Sequence, residues 1–376
     1  MTERPAPLIL VTTPADGQPF GSHAAVAADG QRALATELSR RLGALGAAVR
    51  PLPHRHATED EPFHWGGWFA GAARQAITEA DGAVDAIGYA GGSALALLAD
   101  ERLDDLLAPI PGEVAANNRF SADAFVVAGD LDRAIAALEA CESDNAAPRR
   151  LEEAGFTSRD LGGAPWARFD VDTTLDLALL RLATRLSGMR RLDPGIRGYL
   201  EMARLPGDHA LEVPYLEAIG AVVRDRHAEL VVTGRIPSAT WQHLETETAC
   251  RVRAFVEERG MRSARGIGQP RSVLAALMRR GSPTELIAEL AALGDAVVMD
   301  TRVLMAAVSA SADAWSWPPE EDRFASDFGD QERVVTPWLR ELTEAAARAP
   351  VPFLFGGHAL VSDGLRLLVA AAWQGR

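Results

Sequence analysis

An α/β fold with mainly parallel sheets, arranged as two domains, is the architecture this sequence predicts. Three observations carry the prediction. Short apolar runs alternate with segments of helical apolar spacing along nearly the whole chain, the pattern of parallel strands joined by crossover helices. The 376 residues are roughly twice what a single core ordinarily organises. The alternation breaks at Met189-Arg190-Arg191-Leu192-Asp193-Pro194-Gly195, where charge, proline and glycine end a helical pattern. A boundary there gives domains of residues 1–190 and 191–376.

Each element follows from its local pattern. Leu8 to Thr12 is a buried strand, and Gly30 to Ala48 is a helix because Leu34, Leu38, Leu42 and Leu45 fall on one face. Ala48 to Leu52 is the next strand, Trp65 to Glu79 a helix opened by His64, and Ala83 to Tyr89 a strand running into Gly91-Gly92-Ser93. Leu95 to Leu107 reads as helix, Ser121 to Val127 as strand, Leu131 to Ala140 and Arg149 to Ala154 as helices. Arg168 to Val171 reads as a strand and Thr174 to Leu186 as the helix after it, capped by Thr173 or Thr174. Beyond the boundary, strands are expected at Glu229 to Thr233, Cys250 to Val256, Ala296 to Asp300 and Pro352 to Phe355. The helices between and after them are expected at Ser238 to Thr248, Ser272 to Arg280, Thr284 to Leu293, Val335 to Arg348 and Leu360 to Trp373.

Composition excludes several classes. A net charge of −14 repels phosphate backbones and acidic lipid, so neither nucleic acid nor a membrane is an expected partner. No apolar stretch reaches the roughly 18 residues of a membrane-spanning helix, and the first residues lack the basic and apolar regions of a signal peptide, so a cytoplasmic protein is expected. Cys141 and Cys250 are far apart and form no CxxC, which argues against a disulfide framework or a zinc site. All 38 basic residues are arginines, so chemistry that needs a lysine nucleophile or a P-loop lysine is excluded and any phosphate falls to arginine. No Gly-x-Ser-x-Gly, HExxH or GxGxxG pattern is present.

The segment Arg168 to Leu186 carries Asp170 and Asp172 into an apolar run. At the carboxyl end of a parallel strand, period two would put both carboxylates on one side, facing the crevice where ligands bind. Two such carboxylates repel unless a cation lies between them, and Mg²⁺ holding nucleotide phosphates is the usual one. The alternative is structural, with Asp172 capping the following helix and Asp170 meeting an arginine such as Arg168 or Arg150.

The run Asp170-Val171-Asp172-Thr173-Thr174-Leu175-Asp176-Leu177 resembles the Asp-Ile-Asp-Thr-Pro-Glu-Asp-Leu signature that closes the catalytic core of GT-A-type nucleotidyltransferases, among them cytidylyltransferases and the guanylyltransferases of molybdenum-cofactor biosynthesis. The resemblance spans Leu8 to Leu186. It implies a three-layer α/β/α sandwich for the first domain and Mg²⁺ at Asp170 and Asp172. Nucleotide contacts would come near Gly91, Gly92 and Ser93, and Asn117, Asn118 and Arg119 would face the acceptor. The implied reaction is transfer of a nucleoside monophosphate from an NTP to a small phosphorylated or hydroxyl-bearing acceptor.

Two features depart from that pattern. The loop Thr12 to His23 has neither arginine nor lysine, and Gly-Gly-Ser replaces an acidic residue after the third strand. Either nucleotide is held otherwise, for example through Arg119 and Arg168, or the fold persists without the transfer chemistry.

A second constellation lies in the other half. The strand ends Thr233-Gly234-Arg235, Asp300-Thr301-Arg302 and Gly356-Gly357-His358 converge on one sheet edge. Arg235 and Arg302 would bind a phosphate or carboxylate, with Asp300 as base or metal ligand and His358 as general acid beside a glycine-lined helix start. This alternative makes the protein a phosphoester- or carboxylate-processing enzyme, and a third possibility is a metabolite-binding protein without turnover. Trp315 to Asp327 is long enough for a lid, or a surface loop with packed tryptophans. Arg262 to Arg271 would hold an anion or simply face solvent, and His54, His56, Glu59, Asp60 and Glu61 form either a metal clip or a solvated loop. The expected partner is a small nucleotide or phosphorylated metabolite, and a homodimer is compatible with that reading.

Overall fold

The leading apolar run forms β1 (Leu8–Thr13), with Leu8, Ile9, Leu10 and Val11 all buried, as the centre of a sheet covered on both faces demands. The computed structural model describes residues 6–14, 21–53, 63–80, 84–161, 163–258 and 270–374. After β1 come α1 (His23–Ala44), β2 (Ala48–Pro53), α2 (Trp65–Thr78), β3 (Ala86–Ala90), α3 (Asp100–Leu107), β4 (Glu113–Ala116), β5 (Ala124–Ala128), α4 (Leu131–Glu139), α5 (Ala147–Glu153) and β6 (Thr157–Asp160). Next are α6 (Thr174–Ala183), α7 (Pro194–Met202), the short strands β7 (Arg204–Leu205) and β8 (His209–Ala210), α8 (Leu216–Arg224), β9 (Glu229–Gly234), α9 (Ser238–Glu247) and β10 (Arg251–Val256). The chain closes with α10 (Val273–Arg280), α11 (Pro283–Ala291), β11 (Ala296–Asp300), α12 (Arg302–Val308), α13 (Glu320–Asp327), α14 (Pro337–Arg348), β12 (Phe353–Gly356) and α15 (Leu365–Trp373).

The fold is α/β with mainly parallel sheets. The described residues fall into two compact units, one drawn from residues 1–17, 28–170 and 190–199, the other from 18–27, 171–189 and 200–376. The first unit holds a six-stranded sheet of order β2-β1-β3-β5-β4-β6, in which β5 alone runs antiparallel to its neighbours. Trp65 and Phe69 of α2 stack on each other and meet Tyr89 and Phe125 edge-on over one face. Leu38 and Leu42 of α1 and Leu103 and Leu106 of α3 bury the other face with Ile9 and Val11.

The second unit is built on a wholly parallel sheet of order β10-β9-β11-β12. Val231, Val297, Met299, Phe353 and Phe355 form a core with α10, α11, α12 and α14. The alternate positions Leu230, Val232 and Val298 are also buried, so both faces are covered. Among the described residues no helix is long and apolar enough to cross a membrane.

Several local expectations are corrected. Arg168 to Val171 is not a strand: Trp166 sits at φ +64°, and the amides of Ala167 and Phe169 bond back to Ala164 and Trp166, so local turns take the donors a ladder needs. Asp170 and Asp172 therefore do not share a strand face. Helix over Leu95 to Leu107 begins only at Asp100, because Leu95 adopts φ +62° within a run of turns. Residues Glu320 to Asp327, in the segment expected to be a lid or a surface loop, are helix α13, with Asp322 to Asp327 buried. The helix at Thr174 forms as read, with Thr173 as N-cap and Asp176 completing a capping box.

Candidate functional site

Chain reversal across a parallel sheet opens a crevice at the carboxyl ends of the two strands that flank the reversal, because the following helices leave toward opposite faces. Each unit has one such point.

In the first unit it lies between β1 and β3, since β2 follows β1 on one side and β3 returns to the other. Thr12 Oγ1 accepts the Gly92 amide at 2.9 Å. The approach is so close that a Cβ on Gly92 would stand 2.1 Å from the Thr12 carbonyl oxygen, which only glycine avoids. Ser93, next along, donates its hydroxyl to Asp170 Oδ1 at 3.0 Å. Gly91, Gly92, Ser93 and the half-buried Asp170 are thus brought together at this edge, with the hydroxyl of Thr12 beside them. Residues 15–20 of the loop after β1 lie outside the described residues, as does the His54 to Glu61 stretch.

Asn117, Asn118 and Arg119 do different work. Asn117 is fully buried, and its Oδ1 accepts the amides of Asp123 and Ala124 at 2.9 and 3.0 Å. Its Nδ2 donates to Asp123 Oδ2 at 3.1 Å and to the Ala167 carbonyl at 2.9 Å. Its polar capacity goes into closing the turn between β4 and β5 and tying it to the Ala167 carbonyl. Asn118 accepts the Phe120 amide, and Arg119 pairs with Glu152 at 2.7 Å.

Asp172 belongs to the second unit. Its side chain is exposed, while its amide and those of Thr173's backbone and hydroxyl all donate to Asp176 Oδ2, at 3.1, 2.9 and 2.9 Å. Asp176 is 1% exposed, and its Oδ1 has no hydrogen-bond partner among the described residues. Burial, and then the Asp172 charge, push its carboxyl up to about 7.

The second unit's reversal lies between β9 and β11. Gly234, at φ +113°, leaves room for Asp300, whose Cβ would be 2.4 Å from a Cβ there. Arg235 grips Asp300 with Nε to Oδ2 at 2.6 Å and a terminal nitrogen to Oδ1 at 3.1 Å, and the Arg302 amide adds a bond at 3.2 Å. Burial works against that carboxylate, yet the arginines and His358 hold its pKa below the ordinary value. The Arg302 guanidinium turns inward and binds both oxygens of buried Asp327, at 2.5 and 2.7 Å. Burial opposes its charge too, but Asp327 and Asp300 keep it protonated. Gly356 and Gly357 are buried beside it and His358 is exposed.

These pairs make the second edge electrically closed: two arginines answer two aspartates. A base needs a free lone pair and an anion site needs an unanswered cation, and Asp300 and Arg302 offer neither. Sequence reading missed two members of this network. Asp327 lies 25 residues from Arg302, inside the segment read as either a lid or a surface loop. His23, buried and stacked on Phe328, sits 3.5 Å from Asp330, and burial lowers its pKa. A histidine followed by helix carries no mark of such a place.

No group of three or more His, Cys, Asp or Glu side chains converges as a metal site among the described residues. Mg²⁺ needs less than that, because it keeps waters and substrate phosphates around one or two carboxylates. Asp170 with the Ser93 hydroxyl is an all-oxygen donor set of that kind. No protein-family model matches the chain, and no curated protein is significantly similar to it.

Proposed function

We propose that the first unit binds a nucleotide or related phosphorylated metabolite through Mg²⁺ at Asp170, as a nucleotidyltransferase-like protein. The observation that carries this reading is the convergence of Ser93, Gly92 and Thr12 on one edge with the half-buried carboxylate of Asp170, at the crevice between β1 and β3. Open parallel sheets bind ligands at this point, and the resemblance of Asp170 to Leu177 to the nucleotidyltransferase signature falls on the same carboxylate. In a protein of net charge −14, a divalent cation also answers how an acidic surface takes a phosphate.

Ser93 orients Asp170 by donating to one carboxylate oxygen. Bound there, Mg²⁺ would offset charge on the nucleotide phosphates. In the transfer reaction an acceptor oxygen bonds to the α-phosphorus as the bond to pyrophosphate breaks, and the acceptor proton passes to solvent. The same geometry supports binding without turnover, and pyrophosphate release separates the two.

The test is thermal denaturation of the full chain with each of the four NTPs, with and without Mg²⁺, on wild type and Asp170→Asn. Ligand at 100 times its Kd stabilises by about 2.7 kcal/mol, a clear rise in Tm. The expected result is a Mg²⁺-dependent rise with one NTP that Asp170→Asn removes. A rise that persists in Asp170→Asn, or none with any NTP, would refute the reading.

A further inference from the structure

A cavity of about 720 Å³ in the second unit opens beside the end of β10 and the start of α10. Its described lining includes Arg271, Val273, Ala276, Arg279 and Ala307, together with Glu257, Pro270 and Ser272. The volume falls in the range of small-molecule sites.

Helix geometry explains the lining. Val273, Ala276 and Arg279 follow at intervals of three residues, which places them along one stripe of α10. Arg271 precedes the N-cap Ser272, so a guanidinium stands at each end of a short apolar strip, with Ala307 of α12 on the wall as well. Val273 is 68% exposed, so this apolar surface has no cover from the described residues.

The charges matter most. Neither the Arg271 nor the Arg279 side chain has a hydrogen-bond or ion-pair partner among the described residues, in a protein where acidic groups outnumber basic ones. The Glu257 oxygens accept the Ser272 hydroxyl at 2.7 Å and the Val273 amide at 2.9 Å, so this carboxylate serves as a cap for α10. Ser272 in turn receives the Ala275 amide, which completes the helix start without any outside anion. Two guanidinium groups without a bonding partner among the described residues thus flank an apolar strip.

We infer that this cavity binds a small organic dianion, two carboxylates or a carboxylate and a phosphate separated by a short apolar body, with Arg271 and Arg279 taking its two ends. Arginine suits both groups because its planar fork matches their paired oxygens. The apolar body lies against Val273, Ala276 and Ala307. This site is independent of the nucleotide reading, since it involves only the second unit.

The experiment is isothermal titration of the full chain with adipate, using its uncharged diamide and inorganic phosphate as controls. Wild type is compared with Arg271→Ala, Arg279→Ala and Ala276→Trp. Both arginines are exposed, so their removal leaves the fold intact. Adipate is expected to bind wild type, each arginine variant to bind it about tenfold or more weakly, and Ala276→Trp to block it by filling the strip. The diamide is expected not to bind. Equal adipate affinity in the arginine variants, or no binding by wild type, would overturn the inference, and phosphate binding as tightly as adipate would overturn the dianion with an apolar body.

Discussion

Asp176 should make the second unit lose stability as pH rises toward neutrality, and Asp176→Asn should remove that loss. The carboxyl is buried at the start of α6, with one oxygen accepting three donors and the other unpartnered among the described residues. Burial comes first among the causes that raise it, the Asp172 charge second, and Asp327 adds to them, while the Thr173 hydrogen bonds and Arg302 pull the other way. An unfolded aspartate loses its proton near 3.8 and the folded one near 7. Between those values the folded state holds a proton the unfolded state has released. The contribution is therefore complete below the lower value and gone above the upper, a fall of ~1.4 kcal/mol per pH unit and ~4 kcal/mol in all. Asparagine keeps an acceptor for the three donors and never ionises. Urea denaturation of both proteins from pH 4 to pH 8 should show the variant's stability gaining on wild type through this window and levelling off above it. A difference that stays flat with pH would refute the reasoning.

Three further substitutions test the networks around the sheet edges. Arg302→Met leaves Asp327 buried without its bidentate partner and should cost about 3–5 kcal/mol in urea denaturation, while adding Asp327→Leu should restore most of it; equal losses in single and double variants would show that the pair is not coupled. Asn117→Ala strands the amides of Asp123 and Ala124 and should destabilise the first unit by about 3 kcal/mol, read by urea denaturation, and a loss under about 1 kcal/mol would mean that water replaces these bonds.

The elements legible in the sequence are those whose burial is written in apolar residues. β1, β9 and β11 are continuous aliphatic runs because both faces are covered, and α6 announces itself through Thr173 and Asp176. β6, Thr-Ser-Arg-Asp, contains no aliphatic residue and is held by its parallel ladder to β4, a long-range pairing that local pattern does not encode. Arg168 to Val171 misleads for the opposite reason. Phe169 and Val171 are buried at alternate positions as in a strand, yet the left-handed Trp166 turns the preceding chain into local hydrogen bonds. At the second sheet edge the meeting of Arg235, Asp300 and Arg302 follows from strand ends alone, but their chemistry depends on Asp327, whose position is fixed only when α13 packs.

That dependence separates the two crevices. Both occur where chain reversal opens a parallel sheet, and both draw glycine, threonine and aspartate to the strand ends, so topology and residue type do not distinguish them. What marks the second is how its carboxylate is neutralised. Asp300 is held by a bidentate arginine, an arrangement strong enough to overcome full burial and keep the carboxylate charged, and any cation or substrate entering there would first have to displace Arg235. Asp170 accepts a hydrogen bond from the hydroxyl of Ser93, a neutral donor that orients a carboxylate without cancelling its charge. A divalent cation competes poorly with a buried guanidinium and well with a hydroxyl, which can itself turn a lone pair toward the metal. We therefore propose a cation only at the first crevice; at the second, Arg235 and Asp300 form an ion pair.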